Sequence, residues 1–150
     1  MPNPATAPST DADASQAFVD LLVQTSFEVV AIVTRVGAEY DLSLTLVRML
    51  GILRDRTLTM AELANHLGLE RSTVSGLVDR AETRDLVTRR ASAVDGRSIE
   101  LRLSASGMAL ANTAARSVGD RLTPIVAKLP DEVRQALPAA LGQLRIAVAG

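Results

Sequence analysis

The chain has no cysteine, no tryptophan, one histidine and one tyrosine, and its only lysine is Lys128. Each shortage removes a class of chemistry. Without cysteine there is no disulfide, no thiolate redox sensor and no cysteine-rich zinc site. His66 alone cannot build a histidine and carboxylate metal cluster. No serine–histidine–carboxylate arrangement, glycine-rich phosphate loop or metal-ligand spacing occurs, so the sequence offers no catalytic residue, no metal site and no cofactor site. Net charge is also lacking: 16 Lys and Arg against 17 Asp and Glu leave −1. A chain so balanced is no indiscriminate nucleic-acid binder, and any phosphate-binding surface must be local. Long uncharged apolar runs are missing as well, because Asp20, Glu28 and Arg35 interrupt the stretch from Phe18 to Val36. Residues 1–14 have neither the basic start nor the apolar centre of a signal peptide. The expectation is a soluble, cytoplasmic protein with no membrane partner.

What the chain does have is apolar side chains, 47% of 150 residues, enough for one domain or one compact unit with two subregions. Residues 1–14, rich in Pro, Ala, Thr, Ser and Asp, read as a disordered tail. Apolar residues from Phe18 to Val36 recur at helical spacing, which predicts a long helix over 15–39, and its wide apolar face suits either an intersubunit contact or an ordinary core. A second helix is predicted from Ser43, its N-cap, to Arg54. Thr59-Met60-Ala61-Glu62 has the form of a capping box and starts a short helix that stops at Gly68. The next helix, Arg71 to Arg84, turns Val74, Leu77, Val78 and Ala81 inward and leaves Arg71, Ser72, Thr73, Ser75, Asp79 and Arg80 outside.

Two strands, Leu86–Arg90 and Ser98–Leu103, flank the tight-turn dipeptide Asp95-Gly96, with Ile99, Leu101 and Leu103 expected to face inward. After Ser104 helical sequence runs to about Lys128, and Pro130-Asp131-Glu132 opens a last helix. Pro124 and Pro138 are expected to kink or divide these helices. The fold class expected is therefore mainly α with a small β-hairpin wing. A winged helix-turn-helix over 43–103 is flanked by an N-terminal helical segment, 15–42, and C-terminal helices, 104–150.

A helix-turn-helix followed by a basic hairpin can reach a major groove and its neighbouring minor groove together. The first turn of the second helix offers Arg71, Ser72, Thr73 and Ser75 where helix amides favour phosphate. In and beside the hairpin, Arg89, Arg90, Arg97 and Arg102 stand against Asp95 and Glu100, a local excess of two positive charges. The candidate DNA-binding residues are thus Arg71, Ser72, Thr73, Ser75, Gly76, Arg80, Arg89, Arg90, Asp95 and Arg97. A solvated helix face and a generic surface hairpin would share some of these features.

At these residues the chain resembles the MarR family of winged-helix transcription regulators. The motifs are Leu63-Ala64 through Leu67-Gly68, Arg71-Ser72-Thr73-Val74, Leu77-Val78-Asp79-Arg80, Leu86-Val87-Thr88-Arg89, Asp95-Gly96-Arg97, and Leu101-Arg102-Leu103-Ser104-Ala105-Ser106-Gly107. The resemblance implies a homodimer built from N-terminal (15–42) and C-terminal (104–150) dimerisation helices on a pseudo-palindromic operator, a wing in which Asp95 positions Arg97, and repression relieved by a small lipophilic or aromatic-acid effector. Glu70, Gly76 and the single wing cation depart from the family pattern. The candidate ligand-cleft residues are Phe27, Val30, Thr34, Tyr40, Arg48, Met49 and Met60, with Arg48 suited to a carboxylate and methionine to varied apolar ligands. The alternative reading is a winged-helix protein-interaction module that does not bind DNA.

Overall fold

The computed structural model describes residues 10–92 and 98–149. The elements run α1 (Thr10–Glu39), α2 (Leu44–Leu53), β1 (Leu58–Thr59), α3 (Met60–Leu67), α4 (Arg71–Thr83), β2 (Val87–Ala91), β3 (Ile99–Leu103), α5 (Ala105–Val126) and α6 (Asp131–Ala149). The N-terminal helix begins at Thr10 and not at Ser15, which shortens the predicted tail. Asp13, near its start, suits the positive end of the helix dipole. The rest of that tail, residues 1–9, lies outside the described residues. Pro124 and Pro138 stand inside α5 and α6, and neither helix is divided there.

Local chemistry sets the helix ends. The Leu46 amide donates to the Ser43 hydroxyl at 3.2 Å, capping α2. Both halves of the predicted capping box form at α3: the Glu62 amide donates to Thr59 Oγ1, and the Thr59 amide donates to Glu62 Oε2 at 2.7 Å. That second bond leads the causes that hold the Glu62 carboxyl below its ordinary pKa. Gly68 then takes φ 67°, the left-handed conformation that ends α3 and swings the chain into α4.

The three strands form an antiparallel sheet in the order β1-β3-β2. Leu58 pairs with Leu101 and Val87 with Leu103, so the hairpin continues from the helical core. Leu101 is fully buried, but Ile99 is 53% exposed, contrary to the alternation expected for this strand. It pairs with Ala91 at the far end of the ladder, beyond the reach of the helices. Met49, Leu50, Leu63, Val74, Val78, Val87 and Leu101 make the centre of one core, shared by α2, α3, α4 and the sheet.

Ser104 caps α5 by accepting from the Gly107 amide at 2.9 Å. The helix starts hard against the β2 approach: a Cβ on Gly107 would lie 1.9 Å from the Leu86 carbonyl oxygen. The α1–α2 corner is tied to the rest of the chain by the Arg121–Glu39 ion pair, a Tyr40–Ser117 hydroxyl bond of 2.7 Å and donation from Arg84 to the Asp41 carbonyl.

The outer helices look different. Phe18 is 61% exposed, Phe27 67% and Ile146 71%, and α6 touches the rest of the chain only sparsely. By length and apolarity alone Ala12–Glu39 would cross a bilayer, and its most apolar 18 residues include none that is buried in the chain. The C-terminal part of α1 nevertheless packs on α2 and α5, with Val36 fully buried.

Candidate nucleic-acid interface

The apolar positions of α4 fix which side of it faces outward. Val74, Leu77, Val78 and Ala81 are all buried, so Arg71, Ser72, Thr73, Asp79 and Arg80 are left exposed, and Ser75 and Gly76 are half-buried at the edge of the face. Its N-terminal amides open on the same side, beneath Glu70, which occupies the N-cap without a side-chain cap bond. A helix start of this kind attracts anions through its unpaired amides and dipole. The Gly76 backbone is open: a Cβ there would touch nothing closer than Arg80 Nη1, at 3.6 Å.

The arginines divide into two groups. Arg89, at the root of the wing, spends both terminal nitrogens within the chain: Nη2 lies 2.6 Å from Asp79 Oδ1 and Nη1 lies 2.7 Å from Glu82 Oε2. The hydrogen bond to Asp79 is the leading cause that raises the Arg89 pKa above its ordinary value. Arg84 donates to the Asp41 carbonyl and Arg102 pairs with Glu100 at 3.4 Å, so both are also engaged. Among the described residues, Arg71, Arg80 and Arg90 have no intrachain hydrogen bond or ion pair. On this side of the molecule the unpaired positive charge therefore sits on α4 and the outer part of β2, and the wing root is neutralised. Residues 93–97, with Asp95 and Arg97, lie outside the described residues.

The seven residues predicted to line one ligand cleft are dispersed. Phe27, Val30 and Thr34 are on exposed turns of α1, where the Thr34 hydroxyl donates to the Val30 carbonyl. Tyr40 is bound to Ser117, Met49 lies in the core and Met60 packs at its edge. Arg48 lines a separate cleft beside α3 and α6. The structure instead holds an apolar cavity of about 270 Å³ between α1, α2 and α5, lined among others by Val33, Leu42, Val47, Leu50, Ala114 and Arg54. Helical periodicity shows which side of a helix is apolar but not which neighbour leaves a gap against it, so this cavity carried no sequence signal.

The profile described as the MarR family matches residues 40–98, from the α1–α2 corner to the wing. No curated protein sequence gives a significant match. Among solved structures, NadR in complex with 4-hydroxyphenylacetate is 25% identical, covering 96% of this chain and 97% of its own with a TM-score of 0.64. The MepR–DNA complex of Staphylococcus aureus is 22% identical over 87% of this chain and 97% of its own, with a TM-score of 0.67. Apo MarR from E. coli, 18% identical, covers 83% and 93% with a TM-score of 0.71. A matched central segment, a capped helix-turn-helix with its wing and the same fold over most of the chain agree: residues 40–98 are similar to the MarR family, and the chain has the winged-helix fold of the MarR and MepR structures.

Proposed function

We propose that the chain acts as a homodimeric, sequence-specific repressor in the cytoplasm that binds a pseudo-palindromic operator and is released by a small lipophilic or aromatic-acid ligand. The observation that carries the DNA contact is the face of α4 and β2. Arg71, Arg80 and Arg90 are unengaged there, beside the exposed hydroxyls of Ser72 and Thr73. Arginine and hydroxyl side chains on the first turns of a recognition helix can make base-edge and phosphate contacts. A MepR structure contains DNA, which supports the same use of this fold. Arg89 acts differently from its neighbours: paired to Asp79 and Glu82, it braces the wing against α4 and holds both at one angle.

The dimer reading rests on α1 and α6, whose exposed Phe18, Leu21, Phe27 and Ile146 need a covering surface. A second copy supplies it, and two-fold symmetry then presents two α4 helices to half-sites about 10 bp apart. The α1/α2/α5 cavity lies between the outer helices and α2, so a ligand there would act on α4 through α3, which packs on both α2 and α4. The NadR complex with 4-hydroxyphenylacetate supports an effector of that class. A mobility-shift titration against the intergenic DNA upstream of this chain's own reading frame tests the proposal. A specific shift weakened by Ser72→Ala with Thr73→Ala is expected. No specific shift at low salt would favour a protein-interaction module, in which Glu70 keeps phosphates away.

A further inference from the structure

We propose a second small-molecule site, for an aliphatic carboxylate, in the cleft between the end of α3 and the last turns of α6. The cleft, of about 750 Å³, falls within the range of small-ligand pockets. It is separate from the α1/α2/α5 cavity and shares no lining residue with it. Its polar side chains are Arg48 from α2, Asn65 and His66 from α3, and Arg145 from α6, with no carboxylate among the lining residues. Among the described residues none of these four side chains has a hydrogen bond or ion pair. Arg48 and Arg145 are exposed and line the same cleft, so an anion entering it meets two guanidinium groups that no carboxylate among the described lining residues engages.

The rest of the lining identifies what carries that anion. Leu141, Leu144 and Val148 fall at i, i+3 and i+7 on α6 and make one apolar stripe of about 10 Å at the helical rise. A bare phosphate or a nucleic-acid backbone has nothing to place on this stripe, whereas an alkyl tail covers it and removes apolar surface from water. Among the described residues no aromatic side chain lines the cleft, so they offer no stacking platform for a planar ring. The fitting ligand is a carboxylate head held by Arg48 and Arg145 on an unbranched aliphatic tail. Because α6 otherwise touches the chain sparsely, the ligand would tie it to the helix-turn-helix.

Calorimetric titration of the full-length protein with decanoate tests this without reference to DNA. The expected result is saturable binding of one decanoate per chain, weakened about tenfold or more by Arg145→Gln, and not displaced by 4-hydroxyphenylacetate. Decan-1-ol should bind at least tenfold more weakly, and inorganic phosphate should not compete at matched concentration. Displacement by phosphate, or equal binding of decanol, would overturn the proposal by removing one half of the ligand. Binding unchanged in both Arg145→Gln and Arg48→Gln would place decanoate elsewhere. Absence of binding, together with a looser dimer for Arg145→Gln in sedimentation, would assign the cleft to the acidic start of the second copy's α1, with Asp13 and Asp20. Loss of specific operator binding with decanoate binding intact would refute the repressor reading and leave this site standing.

Discussion

Arg89 and Arg90 are adjacent in the chain, and replacing each with alanine should give different losses. Arg89 is 29% exposed and bonded to two carboxylates, whereas Arg90 is exposed and unengaged. Exposed ion pairs are worth roughly 0.2–1 kcal/mol each. The two pairs of Arg89 are partly screened by solvent, so Arg89→Ala should cost about 1 kcal/mol of folding stability and also loosen the wing against α4. Operator affinity then falls through geometry, with the number of neutralised phosphates unchanged. Arg90→Ala should leave stability within about 0.5 kcal/mol while removing one phosphate contact, which lowers the slope of log K against log salt by about 0.9. Urea denaturation of both variants and anisotropy titrations of the upstream DNA between 50 and 200 mM salt, spans chosen for roughly a decade or more of affinity change, measure the two quantities. A shallower salt slope in Arg89→Ala would refute the brace. So would a stability loss in Arg90→Ala equal to that in Arg89→Ala.

Other substitutions probe the frame that holds this face. Gly107→Ala places a methyl 1.9 Å from the Leu86 carbonyl, a backbone atom that also accepts from the Ser104 amide. Overpacking costs about 1–3 kcal/mol where side chains can yield, so a loss of about 3 kcal/mol or more in urea is expected, and a loss below about 1 kcal/mol would contradict the close approach. Gly76→Ala meets only ordinary contact and should raise stability by about 1 kcal/mol through helix propensity, with thermal unfolding as the check. For Glu62, whose folded pKa is lowered by the Thr59 amide, the contribution to stability is present above the unfolded pKa and is lost as pH falls through the folded value. Urea midpoints measured downward from pH about 5 should therefore fall less steeply in Glu62→Gln than in the parent chain.

The parts of this protein that are written locally were legible in its sequence. Thr59 and Glu62 are three residues apart and form their box without help from elsewhere. Val74, Leu77, Val78 and Ala81 define the buried side of α4 by periodicity alone, and that side fixes the opposite one. What depends on distant partners was not legible. β1 is only two residues long and exists because β3 offers Leu101 and Glu100 as partners. Arg89 looked like a phosphate ligand in a run of basic residues, and only the packing of β2 on α4 brings it between Asp79 and Glu82. Gly107 stood in a recognisable motif, but the Leu86 carbonyl that requires glycine is 21 positions earlier. Chemical type points to Phe27, Tyr40, Arg48 and the methionines as ligand residues, whereas the cavity between α1, α2 and α5 is lined largely by small and aliphatic side chains.

A hydroxyl-radical footprint on the upstream intergenic DNA tests sequence-specific operator binding through α4 most directly. The account predicts two protected patches related by a pseudo-dyad and centred about 10 bp apart, both lost in Arg71→Ala with Arg80→Ala while the variant remains folded. Uniform protection at any salt, or a footprint that survives that double substitution, would contradict it.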